Sequence, residues 1–202
     1  MLYAVLKPIV WALLRLYCRL EARGSELVPA SGPVLLVANH SSLLDPPLIG
    51  AACRRPLCYL AKAELFRVPL LGWLIGHLNA RPVRRDGGDA RALKDALRVL
   101  DAGEALLVFP EGTRGEEGRL REAKAGAGML AVMSGAAVVP VYIGGTGRAL
   151  PRGQVLPRPA KVVVRFGPPL TFKLAPGEAR KDQYRAAAAE MMRAIGQLKE
   201  AA

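Results

Sequence analysis

What this chain can fold into is constrained first by five short apolar runs: Pro33–Ala38 (PVLLVA), Leu57–Ala61, Ala105–Phe109 (ALLVF), Ala137–Ile143 and Lys161–Phe166. Each has the length of a strand, and most are continuously apolar, the pattern of strands covered on both faces. Between them, Pro46–Cys53, Pro69–His77, Asp89–Ala102 and Lys124–Ser134 read as helices, and Glu178–Lys199 closes the chain helically. Strands separated by helices predict an α/β fold with a mostly parallel or mixed central sheet flanked by helices. The charge-free stretch Ala125–Gly147 carries six glycines and Pro140, so it reads as helix–turn–strand and not as a membrane span. A Gly/Pro-rich connection over Gly144–Pro159 is the only long one, no internal repeat is visible, and residues 25–202 are expected to form one domain.

Residues 1–24 have a different character. Lys7, Arg15 and Arg19 interrupt the apolar run, so no stretch there approaches the roughly 20 apolar residues that span a bilayer. At helical spacing, Lys7, Arg15, Arg19 and Arg23 share a broad sector, with Leu2, Leu6, Trp11, Leu13, Leu16 and Leu20 largely elsewhere. That pattern predicts an amphipathic helix, broken or kinked near Pro8. It suits the membrane interface, and it equally suits packing on the domain's own core.

Charge narrows the partners. Lys and Arg total 29 against 17 Asp and Glu, a net +12, which anticipates a polyanion: nucleic acid, an anionic membrane or a phosphorylated substrate. Arg148–Lys173 alone holds six basic residues and no acidic one. Aromatic residues are 5% of the chain and no nucleic-acid recognition motif occurs, which sets nucleic acid aside. Three cysteines, an odd number, argue against a disulfide framework and for a reducing setting. With only His40 and His77, no metal-ligand constellation can be built.

Two segments fall where an open α/β sheet places its ligand site, beyond the carboxyl ends of strands. Asn39-His40-Ser41-Ser42-Leu43-Leu44-Asp45 follows the first apolar run. A general-base imidazole needs a partner to fix its tautomer, and Asp45 can reach back to His40. Asp45 before Pro46 and Pro47 is also a good helix N-cap, and the two roles are compatible. Phe109-Pro110-Glu111-Gly112-Thr113-Arg114 follows another strand and presents a carboxylate and a guanidinium, the latter suited to phosphate. Arg81-Pro82-Val83-Arg84-Arg85 adds a basic cluster, and Lys62 ends a further strand. Pro140 inside an apolar run predicts an edge or strand-end position at the site rim. Gly126-Ala-Gly128-Met-Leu-Ala131 fits the loose dinucleotide-binding pattern but follows the polar REAKA instead of a strand, so it is discounted.

The order of these motifs is more specific than any one of them. NHSSLLD, a basic stretch ending in Arg85, FPEGTR and then VPV resembles the glycerophosphate acyltransferase superfamily, and within it the bacterial 1-acyl-sn-glycerol-3-phosphate acyltransferases, over roughly residues 25–170. The resemblance implies that His40 is the general base and Asp45 its orienting partner. It implies that Arg85, Glu111, Gly112, Thr113 and Arg114 contact the acceptor's glycerol phosphate. Lys62 would stand near the reacting carbonyl as an oxyanion stabiliser, and Pro140 on the acyl-chain side. Asn79 stands where the second motif usually opens with Gly, and Gly115 where the third usually continues with Ser; Asn tolerates the positive φ such a turn needs.

The implied activity is transfer of a fatty acyl group from acyl-CoA or acyl carrier protein to the sn-2 hydroxyl of 1-acyl-sn-glycerol-3-phosphate. The product is phosphatidic acid, with no covalent acyl-enzyme and no metal or other cofactor. Another lysophospholipid or a lyso-aminolipid is the alternative acceptor, and a non-catalytic module binding anionic membranes is a more distant reading. Membrane phospholipids are then partners, and the expected location is the cytoplasmic face of the cell membrane, peripheral or monotopic.

Overall fold

A computed structural model describes residues 8–9, 12, 15–77, 79–83 and 88–202. The apolar runs become the middle of a seven-stranded sheet with strands β1 (Glu21–Arg23), β2 (Val34–Ala38), β3 (Cys58–Lys62), β4 (Ala80–Val83), β5 (Ala105–Val108), β6 (Ala137–Gly144) and β7 (Val163–Phe166). Their spatial order is β1-β7-β6-β2-β5-β3-β4. All neighbouring pairs are parallel except β6–β7, so the sheet is mixed. The helices are α1 (Asp45–Ala52), α2 (Pro69–His77), α3 (Gly88–Asp101), α4 (Ala125–Ser134), α5 (Thr146–Ala149) and α6 (Arg180–Glu200).

The continuous apolar character of β2 has its cause in this order: the strand is central and all five of its residues are buried. Alternation along it serves two cores. Val34, Leu36 and Ala38 pack with Leu48 and Ile49 of α1 and with Cys18 and Leu20, while Leu35 and Val37 face Leu100, Leu130, Met191 and Ile195 of α3, α4 and α6. Of the two glycines in the discounted dinucleotide-like motif, Gly128 serves this second core, while Gly126 is exposed. A Cβ on Gly128 would stand 1.9 Å from the Tyr184 carbonyl oxygen, so only glycine lets α4 lie directly on α6. None of the three buried cysteines forms a disulfide, and burial pushes the Cys58 thiol up to about 11, which leaves it inert at neutral pH.

Three expectations change. Glu21–Arg23, read as the end of the amphipathic helix, is an edge strand beside β7; helical backbone stops at Cys18, and the chain turns at Arg19 with φ 44°. Much of the remaining segment, including Leu2, Leu6, Lys7, Trp11 and Leu13, lies outside the described residues. Among the described residues no helix is long and apolar enough to cross a membrane.

Pro140 is not at an edge either. β6 has β2 on one side, with Val37 opposite Pro140, and β7 on the other. The register with the returning chain slips by one residue between the Val138–Leu170 bridge and the Val141–Phe166 pair, so the proline sits at a bulge, where its missing N–H breaks no regular ladder. Its carbonyl accepts the Gly167 N–H at 2.8 Å, and a Cβ on Gly167 would meet the Pro140 ring at 2.9 Å. The third change concerns the basic cluster, whose Ala80–Val83 portion is itself an edge strand, with Pro82 at the position a proline tolerates best.

Candidate active site

β2, β5 and β6 run parallel and end at one edge of the sheet. Asn39 extends the β2–β6 ladder past its last strand residue: its side-chain amide donates to the Ile143 carbonyl at 2.7 Å and its side-chain oxygen accepts the Ile143 N–H at 2.9 Å. His40 therefore leaves the sheet from a fixed point. Its ring stacks on Phe109, the residue after β5, with centroids 4.0 Å apart and planes 17° apart.

Asp45 then fixes the rotation of that ring. Its Oδ2 stands 2.8 Å from His40 Nδ1 and also accepts the N–H groups of Ser41 at 2.7 Å and Ser42 at 2.9 Å. The expected N-cap bond does not form. The reason is chemical: Pro46 and Pro47 offer no N–H, and the Leu48 N–H already bonds the Leu44 carbonyl. The carboxylate turns back instead and is fully buried, while the His40 side chain keeps 17% exposure. An ionised carboxylate only accepts, so Nδ1 donates to it, and in the neutral ring the lone pair then lies on Nε2. Nε2 bonds none of the described residues.

The FPEGTR turn locks onto the same loop. Glu111 is buried, and its Oε1 accepts the His40 N–H at 3.1 Å, while the Gly115 N–H donates to the His40 carbonyl at 2.8 Å. Burial pushes the Glu111 carboxyl above its usual range, against the opposing pull of the His40 and Arg121 N–H groups and charges. Gly112 takes φ +69°, so the turn needs glycine; a Cβ there would displace only the flexible end of Lys124. Thr113 is exposed and Arg114 half-exposed, and Arg114 takes no acidic partner among the described residues.

A further residue had no signal in the sequence. Glu117 accepts the Gly145 N–H at 2.7 Å and the Gly147 N–H at 2.5 Å, tying the loop after FPEGTR to the start of α5. Thr146, between those glycines, meets Ser41 Oγ at 2.9 Å, and Ser42 Oγ donates to the Leu150 carbonyl at 2.9 Å. The bonds run from side chains to distant main-chain groups, which no spacing rule reveals.

His40, Asp45, Glu111, Gly112, Thr113 and Arg114 thus converge. Lys62 ends β3 at the same edge, two strands from β2, with its side chain outside what the structure describes. Arg85 lies outside the described residues, just beyond β4. Asn79 takes φ 63°, as the turn expected of it requires. Pro140 is buried within the sheet, in register with Val37 and below the edge.

This fold and site define a class. Asp45 holds the imidazole, and the neighbouring serine hydroxyls are turned to Thr146 and Leu150, so neither serine is presented to it as a nucleophile. The chain belongs to the acyltransferase family, whose model matches residues 19–144. It is 32% identical over 150 residues to the chloroplastic 1-acyl-sn-glycerol-3-phosphate acyltransferase LPAT1 of Arabidopsis thaliana, covering 72% of this chain and 42% of that one. It is 41% identical over 136 residues to the lyso-ornithine lipid O-acyltransferase of Pseudomonas aeruginosa, covering 66% and 52%. The chain spans about half the length of the curated relatives it matches. The crystal structure of the 1-acyl-sn-glycerophosphate acyltransferase PlsC from Thermotoga maritima superposes with a TM-score of 0.73 at 30% identity, covering 96% of this chain and 81% of that one.

Proposed function

We propose that the protein transfers a fatty acyl group from an acyl thioester to the sn-2 hydroxyl of 1-acyl-sn-glycerol-3-phosphate, giving phosphatidic acid. The observation that carries this reading is the 2.8 Å contact between His40 Nδ1 and the buried Asp45 carboxylate, which leaves Nε2 as the acceptor of a substrate proton. As the hydroxyl oxygen attacks the thioester carbonyl, its proton passes to Nε2, and Asp45 stabilises the imidazolium that forms. The tetrahedral intermediate collapses with cleavage of the C–S bond, and the imidazolium returns the proton to the departing thiolate. Positioned general-base catalysis of this kind contributes on the order of 100- to 10,000-fold. Orientation and oxyanion stabilisation, for which Lys62 is the candidate, supply the rest.

Arg114, with Gly112 and Thr113, takes the acceptor's phosphate, joined by Arg85. Glu111 acts beneath them by holding the backbone of the His40 loop. Pro140 bears on the acyl-chain side only by shaping β6, since it is itself buried below the edge. The donor is acyl-CoA or acyl carrier protein, with no metal or redox cofactor and no acyl-enzyme. The setting is the cytoplasmic face of a membrane, held peripherally or monotopically. A second reading has specific support in the 41% identity to the lyso-ornithine lipid acyltransferase: the same chemistry with a lyso-aminolipid acceptor. Thiol release from acyl-CoA over a panel of acceptors tests both. Release that rises with lysophosphatidic acid supports the first reading, release with lyso-ornithine lipid alone replaces it with the second, and release with neither overturns both.

A further inference from the structure

Val155 and Leu156 stand next to each other in the chain at 89% and 77% exposure, in the loop between α5 and β7. Scattered apolar side chains on a surface are ordinary, but an adjacent pair held outward by its own loop is a different matter. The loop is stiffened by Pro151, Pro157 and Pro159 and pinned by the Gln154 N–H to the Pro151 carbonyl at 3.1 Å and the Arg158 N–H to the Ala149 carbonyl at 2.7 Å. Arg152 and Arg158 flank the pair, and neither takes an acidic partner among the described residues.

Topology places this tip on the edge that carries His40. β6 ends beside β2, and the loop leaves from there and returns as the antiparallel β7. β1 is parallel to β7, so the residues entering it arrive at that edge as well. Tyr17 confirms the meeting by donating its hydroxyl to the Pro157 carbonyl at 2.8 Å, and Leu16 beside it is 81% exposed. The root of the loop is tied to the histidine segment through Ser42–Leu150, Ser41–Thr146 and Glu117–Gly145.

We propose that loop 151–159 is a bilayer-docking element: Val155 and Leu156 enter the acyl-chain region while Arg152 and Arg158 rest among anionic headgroups. A protein partner would need acidic groups around a small apolar socket; an anionic bilayer offers both chemistries over any area, with no further complementarity. Docked this way, the protein meets the membrane with the edge that holds the His40–Asp45 pair, so a lipid acceptor reaches the imidazole after only partial withdrawal. This last consequence rests on the function proposed above; the docking itself does not.

The test compares wild type with a Val155→Ser/Leu156→Ser variant on phosphatidylcholine vesicles with and without phosphatidylglycerol. The variant is expected to bind anionic vesicles about tenfold more weakly. Its acyl transfer to an acceptor embedded in those vesicles falls in parallel, while transfer to a short-chain, water-soluble acceptor stays at the wild-type rate. That last rate also shows that the variant is folded. A Leu156→Trp variant is expected to gain blue-shifted emission, relative to wild type, when anionic vesicles are added. Undiminished vesicle binding by the serine variant, or an unchanged Leu156→Trp emission, overturns the docking role. So does an emission shift given by an acidic carrier protein and not by vesicles. Absence of transfer to any acceptor by wild type would count against the proposed function and leave the vesicle results to decide the loop.

Discussion

Asp45 reaches backwards to His40: one carboxylate oxygen, fully buried, takes the Nδ1 of the histidine at 2.8 Å together with the N–H groups of Ser41 and Ser42. A single acceptor thereby sets both the ring's tautomer and the curvature of the loop that carries it. Asp45→Asn keeps an oxygen that can accept these bonds and removes the charge that stabilises the imidazolium in the proposed mechanism. The expected result is a kcat lower by about 100- to 10,000-fold with KM little changed, and a melting temperature close to wild type. Steady-state kinetics with acyl-CoA and lysophosphatidic acid check it; a variant retaining most of its kcat would show that the charge does not matter.

Glu111 gives a pH signature. Its folded carboxyl is raised by burial above the ordinary 4.5, so its contribution to stability is full below that value and is lost as pH rises through the folded one. Glu111→Gln retains an acceptor for the His40 N–H and cannot ionise. The melting temperature of the variant minus that of wild type should therefore grow from pH 4 to pH 8, on the order of the range where a raised carboxyl titrates. A difference independent of pH would contradict the assignment.

Arg114 is the described cation of the FPEGTR turn, with no acidic partner among the described residues. Arg114→Ala should raise KM for lysophosphatidic acid by about tenfold or more, the worth of a charge-assisted hydrogen bond to phosphate. KM for a phosphate-free lyso-aminolipid should move much less. Equal shifts for the two acceptors would remove Arg114 from headgroup recognition.

Gly128 tests the scaffold away from the chemistry. Because a Cβ there would lie 1.9 Å from the Tyr184 carbonyl oxygen, Gly128→Ala forces α4 and α6 apart. We expect a loss of about 1–3 kcal/mol or more in urea unfolding. An unchanged midpoint would mean that the two helices do not meet there.

The sequence made the centre of this molecule legible and its margins obscure, for physical reasons. β2, β5 and β6 stand out because both faces of each are covered, which demands unbroken apolar runs such as VLLVA and ALLV. β1 (EAR) is exposed and held by backbone pairing and the exposed Glu21–Lys161 ion pair, and β4 (ARPV) is a basic edge, so neither carries an apolar signature. The rule that confines proline to edges holds at Pro82 and fails at Pro140, where a bulge takes the place of an edge. His40 and Asp45 were legible together because the pair is local in sequence. The Glu117 clamp was not, since its partners are main-chain groups 28 and 30 residues further on.

In the proposed reaction His40 deprotonates the acceptor for direct attack on the thioester. The most direct test of this step is acceptor-dependent thiol release from acyl-CoA by wild type and His40→Ala, with lysophosphatidic acid as acceptor. Wild type should release thiol only when the acceptor is present, and the variant should do so at a rate on the order of 100- to 10,000-fold lower. Equal rates in the two proteins would contradict it.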